Sequence, residues 1–270
     1  MKNIVILGSS GKLGLALVDY LKSKNKIFTD KSINIEKIMS IDFLKENNIN
    51  CIINCVGSTK ERDYFFHSNF LFTSYLSEKL KEFDLKLKRQ FTFIHFSTIG
   101  VNAPFMKYNF RGIVANPLKK GKIKYNPYEL SKTCGEYNLK NNLIKAENIN
   151  TLVIQPSSII FKNSSFLRKL KFFILFFPFK LDKSLSIPIT PINFLLNYIS
   201  QILNTKLNQT LTIKKIYKRE KINSLFKKYL FLNFLKIRLP DKILKKIITS
   251  LPDNFIFTSL KRILIFIFIL

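Results

Sequence analysis

Apolar and polar positions alternate in blocks along the first 160 residues. Residues 3–7 (NIVIL) are a short, β-branched apolar run, the mark of a buried strand. Residues 12–24 show helical spacing, with Leu13, Leu15, Leu17, Val18 and Leu21 available for packing. A second strand is predicted at 26–29, ending at Asp30, and a further helix at 42–46. The run CIINC at 51–55 is strongly apolar and reads as another buried strand. Helical patterns follow at 69–83 and 126–143, with strands at 91–96 (FTFIHF) and 151–154. Strands alternating with helices of this length need a parallel sheet covered on both faces. Right-handed crossovers then make the sheet doubly wound. The expected class is therefore α/β: a doubly wound parallel sheet over residues 1–160, with a smaller C-terminal lobe over 161–270.

The rhythm weakens after residue 160. Residues 166–179 (FLRKLKFFILFFPF) mix basic and aromatic positions, 211–215 have strand character, and 241–250 look helical. The segment 166–179 and the terminal ILIFIFIL are both shorter than the ~18–20 uninterrupted apolar residues of a spanning helix. Two readings of them stay open: a core helix plus a packed C-terminus, or a basic, apolar face lying on an anionic bilayer.

Composition adds a strong charge. With 45 Lys and Arg against 17 Asp and Glu, the chain carries +28. After residue 150 the only acids are Asp182, Glu220, Asp241 and Asp253. A basic surface attracts phosphates, nucleic acid or anionic lipid. The excess of Lys, Ile, Asn and Phe is also what A/T-rich codons produce, so charge alone defines no nucleic-acid interface. No zinc-finger, RNA-recognition or homeodomain pattern accompanies it, and nucleic acid is not expected as a partner. Cys51, Cys55 and Cys134 have no metal-ligand spacing, so no metal site is expected. Buried, reduced cysteines and a first strand starting at residue 3 without a signal-peptide pattern lead to an expected cytoplasmic location. The bilayer reading above would place the protein peripherally at the inner membrane surface.

Candidate chemistry begins in the loop after the first strand. Gly8-Ser9-Ser10-Gly11-Lys12-Leu13-Gly14 joins that strand to the first helix. Such a turn needs glycine for positive φ and for close approach of a pyrophosphate. Gly14 lets the helix sit tightly, and free N–H groups at the helix start meet the anion. Candidate cofactor contacts are Gly8, Ser10, Gly11, Lys12, Leu13 and Gly14. Asp30, closing the second strand, can accept ribose hydroxyls, which favours NAD. Lys31 beside it suits a 2′-phosphate, which favours NADP, and Asp30 can equally be a turn cap. The cofactor is thus NAD or NADP.

Tyr128-Glu129-Leu130-Ser131-Lys132 puts a phenol and an ammonium on one helix face. The ammonium favours phenolate and so equips the tyrosine for proton transfer. Spacing alone decides nothing in a lysine-rich chain, because Tyr20–Lys24, Tyr75–Lys79 and Tyr217–Lys221 share it. Context separates Tyr128: it follows a strand ending in Ser97-Thr98 and opens the helix leading to the next strand. Ligands of parallel sheets bind at the carboxyl ends of strands, which brings in Thr98. His67 and His95 read as structural.

Taken in order, VILGSSGKLG, IINCVGST, HFSTIGV, NPYELSK with Glu136 beyond, and VIQPSSII resemble the extended short-chain dehydrogenase/reductases. The likeness covers residues 1–160, and the short path from Asp30 to CIINCVG is most similar to the dTDP-4-dehydrorhamnose reductases. The resemblance implies a Rossmann NAD(P)-binding domain in which Thr98, Tyr128 and Lys132 are the catalytic Ser/Thr, Tyr and Lys. It adds Val56, Gly57 and Lys132 to the cofactor contacts, and sets Asn69 on a helix where many members carry asparagine. The implied function is an NAD(P)-dependent oxidoreductase or epimerase acting on a nucleotide-linked sugar, and a homodimer is compatible with it. The alternative is a non-catalytic NAD(P)-binding protein at a membrane surface. Departures are specific: Ile99-Gly100 replaces the Asp-Glu of the dehydratases, and Asn102-Ala103, Gln155 and Asn193 replace Tyr-Gly, Arg and Asp. The first argues against a 4,6-dehydratase.

Overall fold

The computed structural model describes residues 1–58, 65–87, 89–102, 127–161, 179–180, 186–205, 211–221 and 237–238. Most of 166–179, the stretch 241–250, the terminal ILIFIFIL, Ala103 and Asn126 lie outside the described residues. Among the described residues, no helix is long and apolar enough to cross a membrane.

Six strands form one parallel sheet in the order β2-β1-β3-β4-β5-β9. They are β1 (Asn3–Leu7), β2 (Lys26–Thr29), β3 (Cys51–Asn54), β4 (Phe91–Phe96), β5 (Ile149–Pro156) and β9 (Leu211–Ile216). The expected Rossmann-type α/β class is therefore the observed one. Each predicted strand is present, β1, β2 and β4 with the predicted ends and β3, β5 and β9 with ends moved by one or two residues. Chain order reverses at β1, whose neighbours are β2 and β3, and that reversal opens a crevice at the strands' carboxyl ends.

The central strands are apolar on both faces because helices cover both. On one face Val5, Leu7, Ile52, Phe91 and Phe93 join a single buried cluster. It is completed by Leu76, Leu80 and Phe83 of α4 (Phe72–Leu87) and Leu139 and Leu143 of α5 (Pro127–Leu143). Two short helices, α2 (Ile35–Ile38) and α3 (Ile41–Glu46), add Ile38, Phe43 and Leu44. Alternate residues Ile4, Ile6, Ile53 and Ile94 are also fully buried and point the other way. There α1 (Lys12–Leu21) contributes Leu17 and Leu21, and α6 (Ile192–Asn204) contributes Leu195 and Ile199. The Tyr20 hydroxyl donates to Asn197, tying α1 to α6.

Two features fix α5, the helix that carries Tyr128 and Lys132. Asn138 and Asn142 donate to the Ser74 and Ser77 hydroxyls of α4, each at 2.7 Å. Gly135 packs on the Asn69 carbonyl so closely that a Cβ would lie 2.5 Å from its oxygen.

The chain divides into two compact units, 1–156 with 193–216, and 157–192 with 217–270. In the first unit, α6 and β9 return to the sheet. The residue pattern alone predicts no element over 192–204. The reason they return is pairing: β9 matches β5 along six residues, from Thr151–Leu211 to Pro156–Ile216. In the second unit, β8 (Ser186–Pro191) pairs with β6 (Ser158–Ile160) in parallel and with β10 (Lys218–Lys221) in antiparallel. Ser157 fastens this sheet, donating its N–H to Thr190 Oγ1 and its hydroxyl to the Pro188 carbonyl. A two-residue parallel pair joins β7 (Phe179–Lys180) and β11 (Ile237–Arg238).

Candidate functional site

The glycine loop lies in the crevice between β1 and β3. Gly8 has φ +77°, in the region that favours glycine, and a Cβ there would meet Cys55 C and Val56 N at 2.7 Å. Gly14 could not carry a Cβ either: it would lie 2.2 Å from the Gly8 carbonyl oxygen. Both contacts are with backbone, so nothing flexible can yield. The N-terminal end of α1 has Gly11 at its cap position and no side-chain cap. A helix end left open in this way presents N–H groups to an anion. The loop therefore fits a dinucleotide pyrophosphate, with Ser10 and Lys12 exposed beside it.

Asp30 grips this loop. Its carboxylate accepts from Gly8 N at 2.6 Å, from Ser9 N at 3.0 Å and from the Ser9 hydroxyl at 2.5 Å. The turn after β2 is closed instead by Ser32 and Ile33 N–H groups donating to the Thr29 carbonyl, so Asp30 is not its cap. Ser9 is buried and bonded to Asp30, a role that no local pattern separates from that of its neighbour Ser10.

Beyond the loop, β3 continues into Cys55-Val56-Gly57. Val56 N donates to Asn54 Oδ1. A Cβ on Gly57 would lie 2.9 Å from Lys132 Nζ and 2.8 Å from Asn69 Oδ1. The ammonium is thus packed against Gly57, and it donates to the Phe96 carbonyl at 3.0 Å. Lys132 is 4% exposed, and burial draws its pKa down from 10.5 to about 8 against the opposing pull of Glu136.

Asn69 links the parts. It is fully buried within a π-helical turn, Phe66–Leu71, that precedes α4. Its amide nitrogen donates to the Ser58 carbonyl and the Ser131 hydroxyl, and its oxygen accepts from Ser58 N. Ser131 in turn donates to the Tyr128 carbonyl. Inserted π-turns recur at functional sites because the extra residue re-aims a side chain. Tyr128 packs edge-on against Phe65, with ring centroids 5.8 Å apart. Thr98 stands two residues beyond β4, its hydroxyl accepting from Gly100 N at the start of a 3₁₀ turn, Ile99–Asn102.

The expected site residues thus lie along one crevice of the first unit: Gly8 to Gly14, then Val56 and Gly57, then Lys132. The three other Tyr–Lys pairs fall elsewhere. Tyr20 bonds Asn197, Lys79 bonds Glu82, and Tyr217 is exposed. His67 is exposed, while His95 is buried with Asn54 Nδ2 3.1 Å from its Nδ1. Burial pushes the Cys51 thiol up to about 12, and the thiol of Cys55, which is half-buried just beyond β3, higher still.

A parallel sheet in this order, with a glycine loop at its reversal point, is a Rossmann-type α/β fold, and solved structures of low sequence identity share it. Among solved structures, dTDP-4-dehydrorhamnose reductase from Yersinia enterocolitica is 17% identical, with a TM-score of 0.59 over 90% of this chain and 85% of that one. The Bacillus anthracis dTDP-4-dehydrorhamnose reductase, in complex with NADP, is 18% identical, with a TM-score of 0.57 over 90% and 86%. UDP-glucuronic acid 4-epimerase from Bacillus cereus, in complex with NAD, is 18% identical, with a TM-score of 0.56 over 88% and 87%. No family model matches the chain, and no curated protein matches it in sequence.

Proposed function

We propose that this chain is an NAD(P)-dependent enzyme acting on a nucleotide-linked sugar, either reducing it or oxidising and reducing one carbon in an epimerisation. The observation that carries the reading is the packing of Lys132 Nζ against Gly57, beside a loop whose Gly8 and Gly14 leave no room for a Cβ. The solved structures of similar fold act on sugar nucleotides or were crystallised with NADP or NAD, which supports the same class.

Gly8, Ser10, Gly11, Lys12, Leu13 and Gly14 would hold the pyrophosphate, with Val56 and Gly57 as the wall. Asp30 keeps the loop in its binding shape and remains the candidate for the adenosine ribose. Lys132 would bond the nicotinamide ribose. The dinucleotide, when bound, supplies or accepts a hydride at the sugar carbon. Tyr128 gives or takes the proton at the sugar oxygen, and the Lys132 ammonium stabilises its phenolate. Thr98 orients that oxygen by hydrogen bonding.

Titration of the purified protein with NADH and NADPH tests the cofactor, and a panel of sugar nucleotides tests turnover. Tyr128→Phe should keep dinucleotide binding while losing turnover by at least about a hundredfold. Absence of binding to either dinucleotide overturns the proposal. Binding without turnover on the whole panel favours the non-catalytic reading.

A further inference from the structure

Lys132 and Glu136 stand one turn apart on the same side of α5. Lys132 Nζ has the Phe96 carbonyl as its hydrogen-bond partner. The Glu136 carboxylate receives a single amide nitrogen, Gln155 Nε2, at 2.9 Å from each oxygen. That partner is neutral. Among the described residues, the one cation acting on Glu136 is Lys132.

The groups facing Lys132 come from three elements. Cys55 lies at the end of β3, and burial keeps its thiol protonated. His95 of β4 is held neutral by burial, with the Lys132 charge adding to the effect. On α5 itself are Tyr128, one turn earlier, and Glu136, one turn later. Burial raises the Glu136 carboxyl above its ordinary value, and Ser97, Gln155 and the Lys132 charge oppose that rise.

We propose that Glu136 is a positioning residue, the counter-ion that keeps the Lys132 ammonium charged inside the site, and that Gln155 preserves this by offering an amide where a cation would compete. The inference rests on the reading of Tyr128 and Lys132 as the reactive pair. It also gives the departure at Gln155 a physical content. An arginine there would bind both carboxylate oxygens and divide the charge Lys132 depends on. A buried ammonium without an anion releases its proton, and a neutral amine stabilises no phenolate.

The test is an NMR titration of the dinucleotide-free full chain labelled at lysine Cε, with Lys132 assigned by its loss in Lys132→Arg. The parent midpoint is expected at about 8. Glu136→Gln should lower it by about one pH unit or more, a tenfold weaker hold on the proton. Glu136→Asp should restore part of the difference, and Gln155→Arg should shift the midpoint down as well. If Glu136→Gln does not fold, the parent suffices: the Glu136 carboxyl carbon should respond as Lys132 titrates, because coupling is reciprocal. An unmoved Lys132 midpoint in Glu136→Gln, or a carboxyl resonance indifferent to Lys132, overturns the inference. Dinucleotide titration of the same samples keeps the two readings apart. Lost binding in the parent would fell the proposed function, whereas an unmoved midpoint with binding intact would fell the counter-ion alone.

Discussion

At the scale of single residues, glycine positions separate sharply by what surrounds them. Gly14 faces backbone, with Gly8 and Ser9 within 2.8 Å of any added Cβ, whereas Gly57 faces the ends of two side chains. Gly14→Ala should therefore destabilise the fold by about 1–3 kcal/mol, as overpacking does, and weaken dinucleotide binding. Gly57→Ala should spare most of the stability, because Lys132 Nζ can shift, yet reduce turnover by about a hundredfold through that shift. Paired urea denaturation and steady-state assays check both, and equal stability losses would contradict the distinction. The loop glycines were legible because their spacing follows a strand. Asp30 was legible as a site residue but not as the clamp on Gly8 and Ser9, since that partnership spans 22 residues of chain. Asn69 shows the same limit: its bond to Ser131 spans 62 residues, and no local pattern encodes it.

At the scale of elements, the central strands β1, β3 and β4 were readable because burial on both faces makes each a near-continuous apolar run. The helix α6 was not assigned, although Leu195, Leu196, Ile199, Ile202 and Leu203 keep helical spacing and are buried. Its pattern sits after a stretch without strand-helix rhythm, so periodicity had no frame there. The π-turn at Phe66–Leu71 had no signal at all, because its local sequence fits an ordinary helix. Connections between elements rest on capping groups of similar invisibility. Asp84 near the end of α4 accepts from Glu147 N at 3.1 Å and Asn148 N at 2.6 Å, and so holds the turn that leads into β5. Asp84→Ala leaves those N–H groups without that acceptor and should lower unfolding free energy by about 1–3 kcal/mol, measured by chemical denaturation. No loss would show that solvent replaces the carboxylate fully.

At the scale of the molecule, buried ionisable groups set the pH dependence of stability. His95 stays neutral in the fold, its pKa far below the ordinary 6.5. Below that value the unfolded chain binds a proton that the folded chain refuses, so stability falls as pH drops through 6.5. Lys132 acts in another window. Between about 8 and 10.5 the unfolded chain holds the extra proton, so stability rises with pH there. Urea midpoints across these two windows check both signs, and His95→Gln should flatten the acid limb alone. The order of synthesis has its own bearing on this fold. Because β5 pairs with β9 over six residues, Thr151 to Pro156, the six-stranded sheet is incomplete until residue 216 has been made. A nascent chain ending near residue 160 would present β5 as an open edge to other chains. Whoever expresses the six-stranded sheet as a fragment should therefore cut after β9, and expect aggregation from any shorter piece.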